Sequence, residues 1–226
     1  MNAKLFRSLV KRILQFTYRP FAIWYTQKDR WFKRSGLQIR VPSGVFHPGL
    51  FFSSILLADF ISKQRLKGLN FLELGCGSAY ISLVAAKHGA NVSASDINPR
   101  AVAAATKNSK INLLPISVYE SDLFSNIPAQ LFDMIVINPP YYRRDPKNMA
   151  ERAWFAGENL EYFKRLFKEI PTFVEPESKV YMCASEDVDL DSIQTLASNY
   201  KIQFKLMLKK KILFEENYVY QLIISF

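Results

Sequence analysis

The chain has 226 residues, 49% of them hydrophobic, with a net charge of +10, which suits one main core with an appendage. No apolar run reaches the ~18 residues of a membrane span. A secretory-signal pattern and metal-ligand spacing are both absent, and two cysteines, Cys76 and Cys183, cannot build a disulfide framework, so a reducing, cytoplasmic setting is expected.

The charge is lopsided. Residues 1–40 carry ten Lys/Arg against Asp29 alone, while the remainder holds 20 basic and 19 acidic groups. At the front, "KLFRSLVKRILQF" puts Leu5, Leu9 and Ile13 on one stripe with most cations elsewhere, the pattern of a basic amphipathic helix. "AIWYTQKDRWFKR" is predicted to be helical too, stopped near Gly36, and "LQIRV" to be a short strand. The extension is set at 1–45 and the main domain at 46–226.

From Leu66 strands and helices alternate. "LNFLEL" is a strand, "ISLVAAKHG" a helix ended by Gly89, and "NVSASD" a strand. An Ala-rich helix follows, with Asn98 as N-cap and Pro99 in its first turn. "ISVYESD" and "FDMIVIN" are strands, "NLEYFKRLFKEI" a helix, "KVYMCAS" a strand and "DLDSIQTLASNY" a helix. "IQFKLMLK" and "YVYQLIISF" form an antiparallel pair. This order implies an α/β fold with a mostly parallel sheet covered on both faces.

In such a sheet ligands bind beyond the carboxyl ends of the strands. The first of these strands ends in "ELGCGSAY", where Gly75 and Gly77 allow a tight turn and close backbone approach. A dinucleotide fingerprint would place a third glycine where Tyr80 stands, which speaks against NAD or FAD. Asp96 ends the second strand 21 residues after Gly75, a position suited to a ribose diol, followed by Ile97. As bland alternatives, the glycines make a structural turn and Asp96 is a helix N-terminal charge. Asp122 ends the third strand beside Leu123, placed to accept from an exocyclic amine while the leucine covers a purine ring. After the fourth comes "NPPYY": two prolines cannot donate ladder hydrogen bonds, so the strand beginning near Phe132 stops at Asn138. This leaves an amide, two rigid carbonyls and an aromatic ring at a buried strand's end.

Glu73-Leu-Gly-Cys-Gly-Ser-Ala79, Asp96, Asp122 and Asn138-Pro-Pro-Tyr141, in this order and spacing, resemble the class I S-adenosylmethionine-dependent methyltransferases over about residues 46–226. The resemblance implies a Rossmann-like seven-stranded sheet with an antiparallel C-terminal strand. It also implies S-adenosyl-L-methionine held by Glu73, Gly75, Cys76, Gly77, Ala79, Asp96, Ile97, Asp122, Leu123 and Asn138. Ala79 stands where the family usually has Gly, a replacement that a negative φ accommodates.

The Asn-Pro-Pro-Tyr branch methylates planar nitrogens of glutamine side chains or nucleobases. Asn138, Pro139, Pro140 and Tyr141 are accordingly expected at the chemical step. The Asn138 oxygen and the Pro139 carbonyl would accept from the substrate NH2 and aim its lone pair, while Tyr141 covers the planar face. No strong general base is needed, because a methylated, cationic amide nitrogen loses its proton readily.

"ERAWFAGENLEYFKRLF" is similar to the segment that follows this motif in HemK-type glutamine methyltransferases. Arg152, Ala153, Trp154 and Gly157 match, and Asn159-Leu160 replaces an Asp-Gly pair. "GVFHPGLFFSS" has Leu50 and Phe51 where that family has acids. His47 and His88 receive no catalytic role. The expected acceptor is a protein glutamine; the alternative is an RNA adenine N6 or guanine N2, and a cofactor-binding scaffold in an RNA or membrane complex is the non-enzymatic reading. The basic N-terminus suits RNA, the ribosome, an anionic membrane surface, or simple packing on the domain.

Overall fold

The computed structural model describes residues 25–50, 52–212 and 215–226. The stripe of Leu5, Leu9 and Ile13 lies outside them. The first elements are strands β1 (Arg30–Arg34) and β2 (Leu37–Val41), an antiparallel hairpin pairing Arg30 with Val41 and Arg34 with Leu37. The predicted helix over this stretch is therefore corrected: Tyr25 and Thr26 are helical, but residues 30–34 are strand. Two physical reasons decide it. Ser35 and Gly36 both take positive φ, 54° and 73°, the pattern of a two-residue hairpin turn whose twist matches the flanking strands. Phe32 also turns inward, edge-on to Tyr80 at 5.0 Å and to His47 at 5.9 Å, while Trp31 faces out.

The remaining elements are α1 (Phe52–Ile61), β3 (Asn70–Leu74), α2 (Tyr80–Lys87), β4 (Asn91–Asp96), α3 (Pro99–Asn112), β5 (Ser117–Glu120) and β6 (Met134–Ile137). They are followed by α4 (Glu161–Glu169), β7 (Lys179–Ser185), α5 (Leu190–Ser198), β8 (Ile202–Ile212) and β9 (Glu215–Ile224). A seven-stranded sheet runs β5-β4-β3-β6-β7-β9-β8, with the first five parallel and β9 antiparallel to both its neighbours. Beyond β7 the order crosses to β9 before β8, so among the described residues β8 is an eleven-residue edge.

Period-2 alternation sorts the central strands onto two cores. Phe71, Met134, Val136, Tyr181 and Cys183 pack with α1, α2 and β2; Leu72, Leu74, Ile135, Ile137, Val180 and Met182 pack with α4 and α5. Burial on both faces explains why β6 reads as an unbroken apolar run. Leu37, Ile39, Val41 and Val45 join the first core. Along β2, the buried Asn108 of α3 accepts from the Arg40 amide at 2.8 Å and donates to the carbonyls of Arg40 and Ser78 at 2.9 and 3.0 Å. One turn on, Asn112 accepts from the Gln38 amide and donates to its carbonyl, both at 2.9 Å. Helix side chains thus complete the strand's open edge. At the start of α3, Asn98 caps by accepting from the Arg100 amide at 3.0 Å, and Pro99 opens the first turn.

Candidate active site

The sheet order reverses at β3, with β4 on one side and β6 on the other. At the carboxyl ends of these strands opens a cleft of about 1810 Å³. Every residue proposed from the sequence lines it except Ala79.

The loop after β3 is held open by its backbone. Gly75 and Gly77 have φ of 70° and 53°, and a Cβ at Gly75 would meet no heavy atom within 4 Å, so this part of the loop is bare backbone. Ala79 lacks the negative φ that would accommodate the replacement without strain. It sits at φ 63°, ψ 32°, fully buried against Cys76, Ala94 and Ala105 rather than in the cleft wall. An L-residue in this region carries ~1–2 kcal/mol of strain. Its place is fixed by the Ala79 amide, which donates to the Cys76 carbonyl at 2.7 Å.

The three strand-end acids have distinct surroundings. Glu73 is 3% exposed; it accepts from the Ser82 amide at 2.7 Å and bonds the Ser82 hydroxyl, which turns it toward α2. Burial pushes its pKa up to about 8, against the pull of those hydrogen bonds. Asp96 accepts from the Gly77 amide with one oxygen and from the Asn98 amide with the other, both at 2.8 Å. It braces the glycine loop and keeps its remaining lone pairs for a ligand. Burial raises its pKa. Asp122 pairs with Arg165 at 2.7 Å, a partner on α4 that sequence order did not reveal. Leu123 beside it is 7% exposed with φ 53°.

Asn138 follows β6 directly, as the prolines require. Its Nδ2 donates to Ser54 Oγ at 3.0 Å, and its Oδ1 accepts from the Tyr141 hydroxyl at 2.6 Å and the Cys183 thiol at 3.0 Å. Ser54, from the first turn of α1, and Cys183, from β7, were not singled out in the sequence; a serine and a cysteine in apolar runs carry no local signal. The Tyr141 hydroxyl, expected only as part of an aromatic lid, points at the amide. Burial raises its pKa far above the usual phenol value and pushes the Cys183 thiol up to about 12, so both are neutral donors.

The stretch after the motif is stapled to the "RAWFAG" segment. The Tyr141 and Tyr142 amides donate to the Trp154 carbonyl at 3.1 and 2.9 Å, and the Ala156 amide returns to Tyr142. The Trp154 ring lies 5.3 Å from Phe46. The two segments flanking the motif in resemblance therefore meet at the cleft wall. Gly157 (φ 90°) admits no side chain, since a Cβ there would collide with the Glu161 carboxylate. Leu160 stands at φ 61° where the resembling family places its second glycine. His47 is buried with Nδ1 accepting from the Gly49 amide, and His88 Nδ1 lies 2.8 Å from the Val84 carbonyl; neither lines the cleft. Among the described residues no group of three His, Cys, Asp or Glu side chains can hold a metal.

A bare glycine loop, a braced acid at the second strand end and a third acid beside a leucine fit a nucleoside cofactor. Comparison with known proteins bears on which one. Residues 36–182 match the methyltransferase small domain family. A protein of Methanocaldococcus jannaschii, provisionally named a protein N5-glutamine methyltransferase, is 31% identical over 191 residues, 80% of this chain and 92% of that one. The release factor glutamine methyltransferase of Streptococcus pneumoniae is 30% identical over 56% of this chain, and the small subunit rRNA methyltransferase C of Alcanivorax borkumensis 28% over 67%. The chain spans about half the length of these last two, 50% and 45%. Among solved structures, a T. thermophilus 16S rRNA N2 methyltransferase with AdoMet and guanosine superposes with a TM-score of 0.65 at 18% identity, over 86% of this chain and 50% of that one. A Pyrococcus furiosus methyltransferase gives 0.62 at 19% identity over the whole of both. These structures share the class I fold. The chain belongs to the methyltransferase small domain family and is an S-adenosylmethionine-dependent methyltransferase.

Proposed function

We propose that the enzyme methylates a planar amide nitrogen, that of a glutamine side chain in a protein. The observation that carries this reading is Asn138-Pro139-Pro140-Tyr141 at the end of β6, opening into the same cleft as the Gly75–Gly77 loop. The glutamine methyltransferase name of the M. jannaschii relative, matched along most of both chains, supports it.

When bound, S-adenosylmethionine supplies an electrophilic methyl on a sulfonium. The chain's own residues hold the acceptor. Asn138 Oδ1 and the Pro139 carbonyl take the two N–H hydrogens of the acceptor NH2, which fixes the nitrogen and points its lone pair across the cleft. Such alignment can lower the barrier by ~7–11 kcal/mol. Fixed carbonyl dipoles also offset the positive charge growing on nitrogen. The side-chain-free surface of the glycine loop, Asp96 and Asp122 hold the nucleoside, and the Phe46–Trp154 wall confines the acceptor. Residues 1–24, with five Lys/Arg and no acid, serve target engagement through their cations.

The test is Asn138→Ala. S-adenosylhomocysteine affinity should stay within a few-fold while methyl transfer falls ~10²–10³-fold, as for loss of one preorganised polar contact. Labelled cofactor with separated cell protein and RNA should mark protein, in an amide released as N5-methylglutamine on enzymatic digestion. Label in RNA nucleobases instead would move the assignment to an adenine or guanine amine. Near-normal turnover in the variant would remove the amide-acceptor role.

A further inference from the structure

The hydrogen bonds around Asn138 raise a difficulty that points to a further residue. Both lone pairs of Oδ1 face a donor, the Tyr141 hydroxyl at 2.6 Å and the Cys183 thiol at 3.0 Å, and these two groups touch each other at 3.3 Å. An acceptor NH2 can bind that oxygen only if one of the two donors leaves. Turning the amide over does not help. It would aim Nδ2 at the Tyr141 oxygen and the Cys183 sulfur and present a donor where the acceptor NH2 needs an oxygen, whereas the orientation seen gives Nδ2 the Ser54 oxygen and leaves Oδ1 facing the donors.

The two donors are unequal. A phenol O–H is a good donor, and at 2.6 Å it is well engaged. A thiol is a weak one. Cys183 also has somewhere else to go: the Ile137 carbonyl lies 3.8 Å from its sulfur, and the buried Ser53 hydroxyl lies against both it and Tyr141.

We propose that Cys183 is a yielding partner of Asn138: its thiol caps the amide oxygen while the acceptor site is empty and cedes that lone pair to the acceptor N–H. Ser54 and Tyr141 keep the amide facing the right way throughout. All three are positioning residues acting through Asn138, so the inference rests on the acceptor role given to that amide. The arrangement reconciles two demands. With Tyr141 on one lone pair, the second lone pair of this buried oxygen would lack a donor in the free enzyme, and a strong donor there would refuse the acceptor. A thiol satisfies the first demand and avoids the second.

The test sets two substitutions against each other. Cys183→Ser puts a strong donor in place of a weak one, so KM for an unstructured Gly-Gln repeat peptide should rise about tenfold with a smaller change in kcat. Cys183→Ala removes the competing donor, so KM should fall by about threefold, despite some loss of melting temperature from the small cavity. Core filling alone predicts the reverse order, with serine tolerated and alanine worse. A readout free of turnover is the infrared S–H stretch of Cys183, assigned by its disappearance in Cys183→Ser. It should shift when the peptide is added to enzyme saturated with S-adenosylhomocysteine. An S–H band unmoved by the peptide, or serine and alanine variants whose KM values change in the same direction, would overturn the proposal. If Asn138→Ala abolishes transfer in that same series, only the role of Cys183 is lost; if Asn138→Ala is active, the acceptor reading itself is lost.

Discussion

Glu73→Gln should change how stability responds to pH. The Glu73 carboxyl is buried with Ser82, and its pKa is raised from 4.5 to about 8. A raised carboxyl pKa means that the folded protein binds a proton that the unfolded chain has released. Between pH 4.5 and 8 the unfolding free energy therefore falls as pH rises, by ~1.4 kcal/mol per unit at most, and by up to ~5 kcal/mol across the interval. The contribution is fully present below the unfolded pKa and gone above the folded one. Glutamine stays neutral and still offers an oxygen to the Ser82 amide, so the variant should lack this slope. Urea unfolding of both proteins at unit steps from pH 5 to 9 measures the effect as a difference curve. The difference is the right quantity because His47 acts at the other end: burial lowers its pKa, which removes stability as pH falls. The variant should gain on the parent by several kcal/mol toward pH 8 and level off beyond. Parallel curves would mean that Glu73 is ionised in the fold, and the account of its burial would fail.

Asp96→Ala should weaken S-adenosylhomocysteine binding by ~1–3 kcal/mol, through the lost ligand contact and the slackened Gly77 amide; calorimetry showing full affinity in the folded variant excludes Asp96 from the site. Asn108→Ala strips partners from the Arg40 amide, the Arg40 carbonyl and the Ser78 carbonyl at once, and should cost ~2–4 kcal/mol by denaturant titration. A loss under ~1 kcal/mol would show that water replaces the side chain there. Removing residues 1–24, which hold five Lys/Arg and no acid, should leave cofactor affinity intact while weakening binding to a polyanionic target in a salt-dependent way. Equal binding of full and shortened chains to total ribosomes at low and high salt refutes that role.

Much of the fold can be read from the sequence because its signals are local. Period-2 strands, the Asn98-Pro99 helix start and the prolines after Ile137 each announce themselves within a few residues. The β1 hairpin does not, since five residues rich in Arg, Lys and aromatics fit either period. The deciding signal was the Ser35-Gly36 pair, whose two positive φ values belong to a turn and not to a helix end. Helix α1 has apolar residues nearly all round, so it offered no amphipathic stripe to read. In the site, the motif residues were legible as a set, but their partners were not. Arg165 reaches Asp122 across 43 positions, and Cys183 reaches Asn138 across 45. Such contacts depend on which strands and helices the fold sets side by side, which no local stretch encodes. Ala79 and Leu160 show a different limit: both take glycine's conformation without being glycine, so composition hides the turn that surrounding packing enforces.

The unequal edges of the sheet bear on self-association. β5 ends one side with four residues, too short to template much, whereas β8 presents eleven on the other. A long edge with Leu206 and Met207 half exposed invites a second chain to pair. Two features of β8 discourage it. The ladder to β9 skips a residue between Leu206 and Leu208, so the strand is kinked at the centre of any flat pairing surface. Lys205, Lys209, Lys210 and Lys211 line the same stretch, and antiparallel self-pairing centred on Leu208 would set Lys205 opposite Lys211. Like charges facing across such a pairing, together with the kink, oppose zipping of two copies edge to edge.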